Sequence, residues 1–115
     1  MRFSLFFTTV ALFFSCTAAA AKKSVVITYF EPFGGSSENA SAPTAEELKR
    51  VLQKKYESEL DVTLCRLSVV FDRAAEEALK CFQSASGKPS FVLSLGETGC
   101  RIRLETQAKN LDNAA

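Results

Sequence analysis

From residue 24 onward, short β-branched apolar runs alternate with segments whose apolar residues recur at helical spacing. Residues 24–29, Ser-Val-Val-Ile-Thr-Tyr, are a short β-branched run after a basic pair that predicts a strand buried on both faces. Pro32, Gly34 and Gly35 stop it, and the polar residues 36–43 read as loop. Thr44-Ala45-Glu46-Glu47 has the form of a capping box, with Thr44 as N-cap and Glu47 reaching back. Leu48, Val51, Leu52 and Tyr56 then mark one face of the helix. Residues 62–70 read as a second strand whose partial alternation suits a less central position. Asp72 can cap a second helix running to Phe82 or Ser84, with Ala75, Ala78, Leu79 and Phe82 as its apolar stripe and Gly87 and Pro89 as its end. Residues 90–95 are the third strand, and Gly96-Glu97-Thr98-Gly99 turns out of its carboxyl end.

The order β-α-β-α-β predicts an α/β fold with right-handed crossovers and helices over a mostly parallel sheet. In such sheets ligands bind beyond the carboxyl ends of the strands, which here are the loops 30–41 and 96–104. The first loop carries Phe30, Glu31, Pro32, Phe33, Gly34 and Gly35. Two rings beside exposed backbone amides suit a small, flat, neutral ligand better than a phosphate, because no Lys follows the glycines. A tight turn whose Phe30 and Phe33 plug the core accounts for the same residues, and spacing leaves both readings open.

The first 21 residues follow a different rule. Arg2 precedes an apolar run over residues 3–14, broken by Ser4, Thr8 and Thr9, and small residues fill 15–21. That order is the order of a secretory signal peptide, with cleavage expected after Ala20 or Ala21. The run is shorter than the roughly 20 apolar residues of a permanent span, and no stop-transfer flank follows. Lipid attachment at Cys16 would require Phe13 and Phe14 where such signals carry smaller residues. The expectation is therefore a periplasmic or secreted protein without a stable membrane anchor, its domain running over 22–115.

Charge and residue counts narrow the chemistry. The full chain has 14 basic and 13 acidic side chains, and loss of Arg2 with the leader balances the remainder. Nothing steers it toward nucleic acid or anionic lipid. The chain has no His, which removes the commonest base for a Ser or Cys nucleophile and the commonest metal ligand. Cys65, Cys81 and Cys100 remain after leader removal, an odd number with no C-x-x-C pair, so zinc is not expected and at least one thiol is left over. Cys65 and Cys81 read as small buried hydrophobes.

The motif Phe30-Glu31-Pro32-Phe33-Gly34-Gly35, trailed by Asn39-Ala40-Ser41, resembles the opening signature of the pyroglutamyl peptidase I, or pyrrolidone-carboxylate peptidase, family. That family carries Gly-Phe-Glu-Pro-Phe-Gly-Gly and then Asn-Pro-Ser, so Tyr29 and Ala40 are departures. Leu67-Ser68-Val69-Val70-Phe71 is similar to its Leu-Pro-Val-x-Phe segment, and Leu95-Gly96-Glu97-Thr98-Gly99-Cys100-Arg101 to its Leu-Gly-Gln-Ala-Gly-Gly-Arg turn. Residues 102–110 resemble the stretch that holds its catalytic Glu.

The resemblance implies a three-layer α/β/α fold, of which this chain carries the β-α-β-α-β portion, and thiol hydrolysis of peptides with an N-terminal pyroglutamate by Cys, His and Glu. Phe30 and Phe33 match the apolar pocket for the pyrrolidone ring. Glu105 is the best match for the acidic triad member, with Gln107 as a competing alignment. Glu97 stands where many members have a Gln contacting the lactam; a carboxylate offers acceptors but no amide donor. The implied enzyme needs neither metal nor organic cofactor. Its Cys and His lie downstream of the Glu-bearing segment, and none of Cys65, Cys81 or Cys100 occupies the nucleophile's position. The expectation is thus an N-terminal half, from an interrupted gene or a truncated gene model, that is catalytically incompetent as given. A non-catalytic binding module that keeps the pocket loop is the alternative.

Overall fold

The computed structural model describes residues 18–99 and 102–107. The apolar run 3–14, Cys16 and Cys100 lie outside the described residues. The elements follow the order β1 (Lys23–Phe30), α1 (Ser41–Lys55), β2 (Leu60–Leu67), α2 (Phe71–Ser84) and β3 (Phe91–Ser94). The three strands form one parallel sheet in the order β2-β1-β3.

Side chains alternate across β1, and that alternation sorts the core into two layers. Val25 and Ile27 join Ala45 of α1 and Val62 of β2, with Leu48, Leu52, Leu64, Leu93 and Leu95 packed around them. Val26 points the other way and meets Cys65, Cys81, Phe82 and Ala85. The helices therefore cover opposite faces of the sheet, as the α/β/α expectation requires. β1 runs between both partners, and Val26 and Ile27 have no exposed surface. Complete burial of a side chain of this size stabilises by roughly 1.5–3 kcal/mol, which makes β1 the stable centre of the sheet.

The first helix begins earlier than its apparent capping box. Its N-cap is Ala40, and the Thr44 hydroxyl donates 2.7 Å back to the Ala40 carbonyl from within the first turn. Glu47, expected to reach back to Thr44, instead pairs with Arg50. The physical reason lies one residue upstream, where Asn39 Oδ1 accepts from the Ser41 amide at 2.9 Å and so satisfies a donor of the first turn. Pro43 fits this early start because the first turn needs no amide donor there. Ala45, Leu48 and Leu52 form the inner stripe, whereas Val51, expected on it, is exposed.

The second helix is rotated from the expected stripe. Ala75 and Leu79 face solvent, while Ala74, Glu77, Ala78, Cys81 and Phe82 are half-buried. Its rotation is set by a disulfide between Cys81 and Cys65 of β2, with Cα atoms 6.1 Å apart. These two cysteines are therefore covalent partners as well as small apolar fillers, which corrects the reading of them as buried hydrophobes alone. β2 ends at Leu67 rather than at Val70, because Ser68 turns to donate both its amide (2.7 Å) and its hydroxyl (2.8 Å) to the Glu77 carboxylate. Among the described residues, no helix is long and apolar enough to cross a membrane.

Candidate functional site

The connections determine where a crevice opens. The chain leaves β1 for β2 on one side and then returns across β1 to reach β3, so the loops following β1 and β3 diverge at a topological switch point. Both loops singled out from the sequence stand there, at the carboxyl ends of adjacent parallel strands.

The loop after β1 is closed by its own side chains. The Phe30 amide donates to Ser41 Oγ at 3.0 Å, and Ser41 Oγ donates to Asn39 Oδ1 at 2.7 Å. Asn39 Nδ2 in turn donates to the Glu31 carbonyl at 3.1 Å. Asn39 and Ser41 are both buried, so this ring of bonds is shielded and joins the two ends of the loop. Inside it, Gly34 (φ 63°) and Gly35 (φ 79°) adopt the left-handed region that a side chain would strain. The turn closes with a bond from the Ser36 amide to the Phe33 carbonyl.

Glu31 ties the loop to the β2 side. Its amide donates to the Leu67 carbonyl at 3.0 Å, continuing the β1–β2 ladder. Its carboxylate accepts from the Val69 amide at 3.3 Å and lies 3.9 Å from the Arg66 guanidinium. On the β3 side, the Leu95 amide donates to the Thr28 carbonyl, and two residues later Glu97 Oε2 accepts from the Ala40 amide at 2.7 Å.

Of the residues expected to bind substrate, Phe30 is half-buried at the root of the loop and Phe33 is 46 % exposed near its tip. Glu97 is exposed in the turn after β3 and is tied to the end of the same loop by its bond to the Ala40 amide. Glu105 and its competitor Gln107 are exposed in an irregular segment, and among the described residues no hydrogen bond or ion pair joins Glu105 to the loop. Asn39, Ser41 and the carboxylate of Glu31 are the positioning groups that the loop reading passed over. The signal that could have found them was an Asn two residues before a Ser at a helix start, the spacing of a side chain capping a first turn.

Away from the crevice, Glu77 is held below the ordinary glutamate range, first by the Ser68 amide and then by the Ser68 hydroxyl. A shallow depression of about 370 Å³ lies among Leu79, Phe82, Gln83, Gly87, Lys88 and Pro89. It is at the amino-terminal end of β3, away from the candidate site.

A parallel sheet covered by a helix on each face, with an aromatic loop at its switch point, places the chain in the doubly wound α/β class. Comparison with known proteins makes the assignment specific: residues 23–115 match the pyroglutamyl peptidase family model, and the chain belongs to that family. A pyrrolidone-carboxylate peptidase of Pectobacterium carotovorum subsp. carotovorum (strain PC1) is 38 % identical over 94 residues, covering 80 % of this chain and 41 % of the relative. Proteins of the same name from Vibrio vulnificus (strain YJ016) and Fusobacterium nucleatum are 32 % and 31 % identical over 93 residues, covering 79 % of this chain and 41 % and 40 % of those relatives. The chain thus spans about two fifths of the length of the curated relatives it matches. No solved structure gives a significant match.

Proposed function

We propose that this chain supplies the pyrrolidone-binding part of a pyroglutamyl-peptidase fold and receives the N-terminal pyroglutamyl ring of a peptide in the crevice after β1 and β3. Phe30 and Phe33 are its aromatic walls and Glu97 stands at its polar end. The observation that carries this reading is the closed loop itself, which presents Phe33 to solvent while Asn39 and Ser41 hold its two ends together. A flat neutral lactam gains contact area from such rings and hydrogen bonds from backbone amides without a counter-charge.

The 115-residue polypeptide by itself has no hydrolytic activity in this proposal. A Cys nucleophile needs a base to form its thiolate, and the chain contains no His. Glu105 is then a surface carboxylate. The second reading, a non-catalytic pyroglutamyl-binding module, is favoured by the fact that the loop's bonds close among residues 30–41, 67–69 and 97. The reading frame after the Ala115 codon separates the two: continuation into Cys and His motifs favours the enzyme, and a stop with no such remnant favours the module.

Export to the periplasm or the exterior belongs to the same proposal. The Cys65–Cys81 disulfide supports it, because structural disulfides persist in oxidising compartments. N-terminal sequencing of the mature protein is expected to begin at Ala21 or Lys22; an intact Met1, or lipid on Cys16, would overturn export by cleavage.

Activity is tested with a pyroglutamyl-amide substrate under reducing conditions, and binding with free pyroglutamate followed by NMR. The expected result is saturable binding without turnover. Turnover abolished in both Cys100→Ser and Glu105→Gln would show that this chain carries its own catalytic pair and would overturn the proposal of inactivity. Absence of pyroglutamate binding would overturn the pocket.

A further inference from the structure

Ala40 and Glu97 are two of the places where the pocket segments leave the motif they resemble, and in the folded chain they meet. The Ala40 amide donates to Glu97 Oε2 at 2.7 Å across 57 residues of sequence. Ala40 is the N-cap of α1 at φ −60°, its own side chain makes no cap bond, and the first turn of α1 contains no acidic residue. A carboxylate from the far side of the crevice therefore provides both the acceptor and the negative charge that a helix start favours. Among the described residues, the other side-chain ties of the loop run within the loop, toward β2 or into the first turn of α1, through Asn39, Ser41, Glu31 and Thr44. Among the described residues, the Glu97 bond is the one hydrogen bond joining the loop after β1 to the turn after β3.

We infer that Glu97 is a positioning residue for the pocket loop, its carboxylate gripping the Ala40 amide and thereby setting the width of the crevice. The inference rests on the pocket reading above for what the crevice holds, but the grip itself is a property of this chain's own residues. A Gln at 97 keeps an acceptor oxygen and an Ala does not. At position 40, Pro removes the donor while fitting a φ of −60°. The two residues should therefore behave as one unit under substitution.

The test uses the full chain as wild type, Glu97→Ala, Glu97→Gln, Ala40→Pro and the Glu97→Ala/Ala40→Pro double variant. Amide hydrogen exchange and pyroglutamate titration are measured on each. Loss of a bond to a charged acceptor is expected to accelerate exchange at Ala40 and residues 35–38 about tenfold in Glu97→Ala, with a comparable loss of pyroglutamate affinity. Glu97→Gln should stay within about threefold of wild type in amide exchange, since a neutral acceptor retains roughly half the bond. In the Ala40→Pro background, Glu97→Ala should change nothing further. The amides of Val26 and Ile27 report the integrity of the sheet and should keep their protection throughout.

Unchanged exchange at Ala40 in Glu97→Ala, or additive effects in the double variant, would overturn the inference. Should Glu97→Ala lose protection at Val26 and Ile27, the other single variants decide. Loop exchange raised by Ala40→Pro and not by Glu97→Gln upholds the grip, and any other pattern rejects it. A wild-type chain that binds no pyroglutamate overturns the pocket reading, while exchange at Ala40 still decides the grip.

Discussion

Cys65 on the inner face of β2 and Cys81 on α2 are covalently joined across 16 residues of sequence. The bond matters because no residue of α2 is fully buried. Apart from Phe82, the Ser68–Glu77 hydrogen bonds and the following Ala85, little else holds that helix on the sheet.

Removing the disulfide in a Cys65→Ala/Cys81→Ala variant should lower unfolding free energy by about 3 kcal/mol, the amount associated with a closed loop of roughly 15 residues. Urea unfolding under non-oxidising and non-reducing conditions measures it. A reductant should bring the wild-type midpoint down toward that of the variant and leave the variant unmoved; equal midpoints before reduction would contradict the assignment of this bond as the main tie of α2.

Asn39 and Thr44 compete as the residue that starts α1, and substitution separates them. Asn39→Ala removes the acceptor of the Ser41 amide and hydroxyl and the donor to Glu31, at an expected cost of about 1–2 kcal/mol. Thr44→Ala removes only an exposed bond to the Ala40 carbonyl and should change stability by less than about 0.5 kcal/mol. Thermal or urea denaturation of the two variants gives the comparison, and a larger loss for Thr44→Ala would restore the capping-box reading.

The Ser68–Glu77 pair predicts an acid-side effect of definite sign. The folded-state pKa of Glu77 is depressed by its bonds to Ser68, so the charged form is favoured by folding. That contribution is complete above the unfolded carboxylate pKa and is lost as pH falls through the lower folded value. Urea midpoints taken at neutral pH and at about pH 3.5, below the ordinary carboxylate range, should therefore fall further in wild type than in Glu77→Gln. Glu47, beside Arg50, and Glu76, beside Lys80, are lowered in the same direction, so both proteins lose stability and the difference between them isolates Glu77.

Thr28 is buried in β1, and its hydroxyl has no hydrogen-bond partner among the described residues. Thr28→Val exchanges that hydroxyl for a methyl of the same shape and should raise stability by about 1 kcal/mol, because an unpaired buried polar group is costly. A fall in the urea midpoint would show that the hydroxyl is satisfied in solution.

Sequence and tertiary structure divide the explanation of this protein along physical lines. The order of strands and helices is local information: β-branched runs such as Val25-Val26-Ile27, and breakers such as Pro32 with Gly34-Gly35, act on their own backbone and can be read one segment at a time. The aromatic loop and its family were legible for the same reason, since Phe30 through Gly35 are contiguous. The face of α2 was not, because Ala75 and Leu79 satisfy a helical stripe as well as Ala74 and Ala78 do. Only the covalent link from Cys81 to Cys65 and the reach of Glu77 to Ser68 choose between them. The start of α1 is likewise not local, since Asn39 becomes its capping side chain once Ser41 is drawn under the Phe30 amide. The grip of Glu97 on Ala40 is further still from any local pattern. Its two residues are 57 positions apart and meet because β3 lies beside β1, a neighbour relation set by burial of the whole sheet and by no short segment of it.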